Sequence, residues 1–153
     1  MKQISIIFPN QLFEFSPLMK YSCEILMIED SLFWGNDKYF QFKNHINKLI
    51  FLKASMQSYK DYLKKNGHKV IYAENQKNFS TKDYLLKYLK QNYQIINVIK
   101  PHDYLIERRL NSFVQEKQLE MNLIKSPMFI TENKLIHKFE NNSKKPLMGR
   151  FYE

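Results

Sequence analysis

Two pairs of polar side chains stand directly behind apolar runs of this sequence. Asn10 and Gln11 follow Ile4-Ser5-Ile6-Ile7-Phe8 and its closing Pro9. Glu29 and Asp30 follow Cys23-Glu24-Ile25-Leu26-Met27-Ile28. A side-chain amide offers donors and an acceptor together, whereas a carboxylate only accepts. Beside the rings of Trp34, Tyr39 and Phe40 in SLFWGNDKYF, these groups suit a flat guest with a polar edge, or a ribityl chain. His102 and Asp103, behind Pro101, follow another apolar run and fall at the same kind of position. A plainer reading stays open beside this one. Asn10 and Gln11 could satisfy their own turn, and Glu29 or Asp30 could be solvated loop charges with the rings as packing.

Other chemistries lack their residues. The glycines are Gly35, Gly67 and Gly149, none behind the first run, so neither a dinucleotide fingerprint nor a Walker A loop can be written. No G-x-S-x-G is present, and the lone Cys23 falls within a predicted strand. His45, His68, His102 and His137 are dispersed without metal-ligand spacing. The reading is therefore of a binding domain, with no catalytic constellation and no metal set.

Five strand-length runs are predicted: 4–8, 23–28, 68–73, 95–99 and 120–124. Helical spacing separates several of them. From about Lys43 to Asn66, Ile46, Leu49, Ile50, Leu52, Met56, Tyr59 and Leu63 form one apolar stripe, closed by Asn66-Gly67. A second helix starts behind Ser80, with Asp83 at its third position, and a third runs from about Asp103 to Glu116. Ser16-Pro17 opens a short helix. This alternation predicts an α/β, Rossmann-like three-layer domain: a mostly parallel five-stranded sheet with helices on both faces. In such sheets ligands bind beyond the carboxyl ends of the strands, where the polar pairs fall.

The chain has 153 residues, 44% of them hydrophobic, enough for one domain with a core. Its net charge of +9 favours an acidic partner, but the lysines are scattered and form no basic tail. One cysteine allows no internal disulfide, and the N-terminal apolar run is too short for a signal peptide or a membrane span. A cytoplasmic protein without membrane contact is expected. The domain is expected over 1–138 and a linker over 139–153. The chain stops inside what reads as an incoming apolar element, so a continuation or a second polypeptide is expected.

IFPNQLF, ILMIEDSLFW, HINKLIFLKASMQSYKDYL and MGRFYE together resemble the N-terminal domain of the photolyase-related group of the cryptochrome/photolyase family. This is the prokaryotic, (6-4) photolyase-like branch. The pieces that carry the likeness are Pro9, Gln11, Leu12 and Phe13; Glu29, Leu32 and Phe33; His45, Lys48 and Leu49; Ala54, Ser55 and Met56; and Met148, Phe151 and Tyr152. The resemblance implies an antenna-type domain holding a light-harvesting 6,7-dimethyl-8-ribityllumazine at the carboxyl edge. By that pattern Asn10, Gln11, Leu12, Glu29 and Tyr39 are the candidate cofactor-binding residues. Many members carry Gly-Asp where this chain has Pro9-Asn10, so a neutral amide replaces a chromophore-holding aspartate. The resemblance also implies a C-terminal flavin-binding helical domain, on the same or a separate chain. That domain would carry FAD, a 4Fe-4S cluster and the DNA-facing surface, and the present chain would be inactive alone. Two other readings stand beside it: a stand-alone nucleotide- or metabolite-binding regulatory module, and a weak, salt-sensitive nucleic-acid-binding domain.

Overall fold

The computed structural model describes residues 1–89, 92–129, 131 and 133–142. The motif at Met148, Phe151 and Tyr152, the basic residues Lys144, Lys145 and Arg150, and most of the expected linker lie outside these residues.

Five strands form one sheet: β1 (Gln3–Ile7), β2 (Glu24–Ile28), β3 (Val70–Ala73), β4 (Ile95–Ile99) and β5 (Glu120–Ile124). Their order is β3-β2-β1-β4-β5, and every pairing is parallel. The helices are α1 (Ser31–Trp34), α2 (Ile46–Lys65), α3 (Thr81–Tyr88), α4 (Tyr104–Lys117) and α5 (Asn133–Asn142), with a 3-10 turn at Pro17–Lys20. The expected α/β, Rossmann-like three-layer architecture is thus what forms. Strand order reverses between β1 and β4, which makes the carboxyl ends of these two strands the topological switch point.

Side-chain alternation sorts the core into two layers. Ile4, Ile6, Leu26, Ile28, Ile96 and Val98 meet Leu32 of α1, Tyr84 and Leu85 of α3, and Ile106, Leu110 and Phe113 of α4. Ile7, Ile25, Met27 and Ile99 point the other way, toward Leu18 and toward Met56, Tyr59 and Leu63 of α2.

Local chemistry sets the helix ends. The Ser80 N–H and hydroxyl both donate to Asp83 Oδ2, at 2.8 and 2.7 Å, which locks the start of α3. α2 ends in a Schellman motif. Gly67 takes φ 83°, its N–H reaches Lys64 O, and the His68 N–H reaches Leu63 O.

The apolar stripe of α2 is only half used. Met56, Tyr59 and Leu63 are buried, whereas Ile46 and Ile50 are 61% and 60% exposed. The reason is length. Twenty residues make a helix of about 30 Å, while five-residue strands run only about 17 Å. The helix returns from the carboxyl edge, so its first turns overhang the sheet. Two elements were not foreseen. One is α1, directly behind Asp30. The other is α5, which crosses the expected boundary at 138 within a stretch read as leaving the domain.

Candidate functional site

All three polar clusters of the carboxyl edge follow directly from strand exits. Behind β1, Pro9 ends the ladder and the chain turns, with the Gln11 N–H donating to Phe8 O at 2.9 Å. The Gln11 side chain is fully buried. Its Oε1 accepts the Phe8 N–H at 3.3 Å, and its Nε2 donates to Ile99 O at 2.9 Å. Gln11 therefore clasps the ends of β1 and β4 together at the switch point and satisfies backbone groups the ladder leaves over. Asn10 and Leu12 beside it are half-buried. Leu12 packs on the α2-side core, and the Asn10 amide has no hydrogen-bond partner among the described residues.

Behind β2, Glu29 is 1% exposed. Its carboxylate takes Lys53 Nζ at 2.8 Å on Oε1, the Tyr72 hydroxyl, and the Asn75 N–H at 2.9 Å on Oε2. Burial and this carboxylate together push the Tyr72 phenol well above its usual range. Burial works against the Lys53 charge, but Glu29 and Glu74 outweigh it and hold the ammonium above its ordinary value. Glu29 thus pins α2 to β3 and to the turn after β3.

Asp30 caps α1 by accepting the Leu32 N–H at 3.0 Å on Oδ1, while its buried Oδ2 has no well-formed hydrogen bond among the described residues. Burial lifts its carboxyl from 3.8 to about 6, with the Leu32 N–H pulling the other way. Between those values the folded chain holds more protons than the unfolded one. Stability therefore falls as pH rises through that window, and a cost of about 3 kcal/mol is carried in full at neutral pH. Asp30→Asn keeps the cap and removes the charge. Urea titrations should show the variant more stable than wild type by about 1–3 kcal/mol at pH 7, with the gap closing toward pH 4. A gap independent of pH would contradict this account.

The chain then turns at Gly35, whose φ is 77° and where a Cβ would sit 2.2 Å from Phe42 O. Asp37, fully buried, anchors the following loop. It accepts the Tyr39 N–H at 2.9 Å and the Phe40 N–H at 3.2 Å, and it pairs with both Arg109 nitrogens of α4, at 2.7 and 2.9 Å. The loop holds the Tyr39 ring outward, 68% exposed, with the Arg109 guanidinium 5.9 Å from its centre.

Behind β4 and β5 lies an open hollow of about 680 Å³. Lys100, Pro101 and His102 form one wall, Leu123 to Ser126 and Phe129 another, and Glu107 of α4, Thr131 and Lys134 of α5 complete it. The Lys100 N–H bonds Ile124 O at 2.8 Å, which holds the two walls in register. His102 Nε2 lies 3.0 Å from the buried Ser126 Oγ, and its ring meets Phe129 edge to face at 4.6 Å. Gln11, through Ile99 O, fixes the residue just before Lys100.

The polar residues singled out in the sequence fall at the carboxyl edge of the sheet, and the structure distributes them along it. Gln11 and Glu29 sit behind neighbouring strands but direct their polar atoms to protein partners, and Tyr39 stands out on the loop. None of the five candidate residues lines the hollow. His102 was legible; Lys100, Ser126, Phe129 and Lys134 were missed. Their signal is a repeated exit, Lys100-Pro101-His102 and Lys125-Ser126-Pro127 behind adjacent parallel strands. Among the described residues, no group of three His, Cys, Asp or Glu could hold a metal, and no helix is long and apolar enough to cross a membrane.

Two comparisons bear on this architecture. An uncharacterized protein of Acanthamoeba polyphaga mimivirus is 37% identical over 139 residues, covering 87% of this chain and 68% of its own length. The family model of the deoxyribodipyrimidine photo-lyase-related proteins matches residues 5–153, from within β1 to the last residue. With a parallel sheet in 3-2-1-4-5 order and a family match over nearly its whole length, this chain belongs to the deoxyribodipyrimidine photo-lyase-related protein family.

Proposed function

We propose that this chain is the antenna-type α/β domain of a photolyase-related protein, one that holds a flat light-absorbing guest of the ribityl-lumazine class at the carboxyl edge of its sheet. It passes excitation to a flavin on a helical partner domain, carried on the same or a second chain. Light-dependent DNA repair or light sensing belongs to that complete assembly. The observation that supports this reading best is the hollow behind β4 and β5. It is open, of small-molecule size, and lined by the rings of Phe129 and His102 together with Ser126 and Thr131. Energy transfer requires a held chromophore and no proton chemistry, and the edge offers rings and hydrogen-bonding groups.

The test is optical. The purified chain, mixed with 6,7-dimethyl-8-ribityllumazine and passed through a desalting column, should retain near-ultraviolet or blue absorption and shift the fluorescence of the ligand. A colourless eluate with unchanged free-ligand fluorescence would refute the antenna role.

A further inference from the structure

The hollow carries more positive charge than a neutral guest requires. Among the described residues, Lys100, Lys125 and Lys134 line it, with Glu107 as the carboxylate beside them. Among the described residues, neither the Lys100 nor the Lys134 ammonium has a carboxylate partner. Charges of one sign around a concave, low-dielectric wall focus their field into the opening.

Ser126 adds a directed group. It is 6% exposed, and its Oγ already receives the Met128 N–H at 3.3 Å. With the proton of His102 on Nε2, the imidazole donates to the second lone pair of Oγ across 3.0 Å. Both acceptor positions are then filled, and the hydroxyl proton remains to be given to an acceptor in the hollow. Phe129 supplies the opposite character. Its ring is fixed edge to face by His102 yet is 58% exposed, which leaves a surface for stacking.

We propose that this hollow binds a phosphate monoester carried on a flat heterocycle, the phosphate held by Lys100, Lys134 and the Ser126 hydroxyl and the ring placed against Phe129. A phosphate monoester brings about −1.5 to −2 charges near pH 7 and several strong acceptor oxygens. A neutral ribityl compound would leave the Lys100 and Lys134 ammonium groups without an anionic partner among the described residues. The inference rests on the reading of this hollow as the guest site and adds the chemical class of the guest.

Calorimetric titration of the whole chain with riboflavin, flavin mononucleotide, adenosine monophosphate and inorganic phosphate tests it, because the two flavins differ only in the phosphate. Flavin mononucleotide should bind at least about tenfold more tightly than riboflavin, a difference of about 1.4 kcal/mol. The Lys100→Gln/Lys134→Gln variant should erase that advantage, so that it binds flavin mononucleotide no more tightly than riboflavin. Both lysines are exposed, so the variant is expected to keep its fold, with circular dichroism as the check. Equal affinity for the two flavins, or an advantage that survives the double substitution, would overturn the proposal. Riboflavin and lumazine binding without any phosphate preference would also overturn it, while leaving the antenna reading in place. Adenosine monophosphate binding that depends on the two lysines, with no flavin or lumazine bound, would support the phosphate site and count against the antenna. Failure of every probe would overturn both.

Discussion

Replacing Arg109 by methionine should destabilise the domain by about 3–5 kcal/mol in urea denaturation. Asp37 is fully buried and receives both guanidinium nitrogens, so the single substitution strands a carboxylate with only the Tyr39 and Phe40 N–H groups beside it. Burying an unpaired charge costs more than losing the pair. The combined Asp37→Asn/Arg109→Met variant should therefore be more stable than Arg109→Met alone, because the side-chain amide keeps an acceptor for the loop and carries no charge. The Arg109 side chain is 13% exposed, so solvent screening does not reduce the effect to that of a surface pair. A loss below about 1 kcal/mol for the single variant would show that this ion pair is not what secures the loop.

Glu29→Leu should cost about 2–4 kcal/mol, because it removes the acceptor shared by Lys53, the Tyr72 hydroxyl and the Asn75 N–H. Glu29→Gln, which keeps the shape and one acceptor, should cost less. The readout that separates a structural role from a binding role is the Tyr72 phenol. Burial and Glu29 together hold its ionisation high, so spectrophotometric titration of the Glu29→Leu variant should show Tyr72 ionising at lower pH than it does in wild type. An unchanged titration would mean that the Glu29 carboxylate does not act on Tyr72.

How much of this was legible depended on whether local patterning decided the outcome. The strands were read within two residues because a buried parallel sheet needs short runs rich in apolar residues, and Ile95–Ile99 and Glu120–Ile124 coincide with their predicted bounds. Ser80 with Asp83, and Asn66 with Gly67, mark helix ends by their own chemistry. Long-range partners were not legible. Nothing near Glu29 in sequence announces Lys53, Tyr72 and Asn75, and nothing near Asp37 announces Arg109. Such carboxylates read equally well as ligand contacts, solvated charges or internal ties, and the fold makes both of them ties. The overhang of α2 was missed because periodicity shows which face of a helix is apolar but not how long the sheet beneath it is. The hollow was missed except for His102 because its walls come from two strand exits separated in sequence by a helix, each with only a lysine and a proline to mark it.

The central claim is that the guest sits behind β4 and β5, with the Gln11–Glu29 side of the edge acting as its frame. The most direct test is fluorescence titration with 6,7-dimethyl-8-ribityllumazine on three proteins: wild type, Phe129→Ala and Glu29→Gln. Removing the exposed ring should weaken binding by about tenfold, the scale of one lost stacking contact, whereas Glu29→Gln should change affinity by less than about threefold, since it touches only the frame. Binding that survives Phe129→Ala and disappears with Glu29→Gln would put the guest on the other side of the edge and contradict the account.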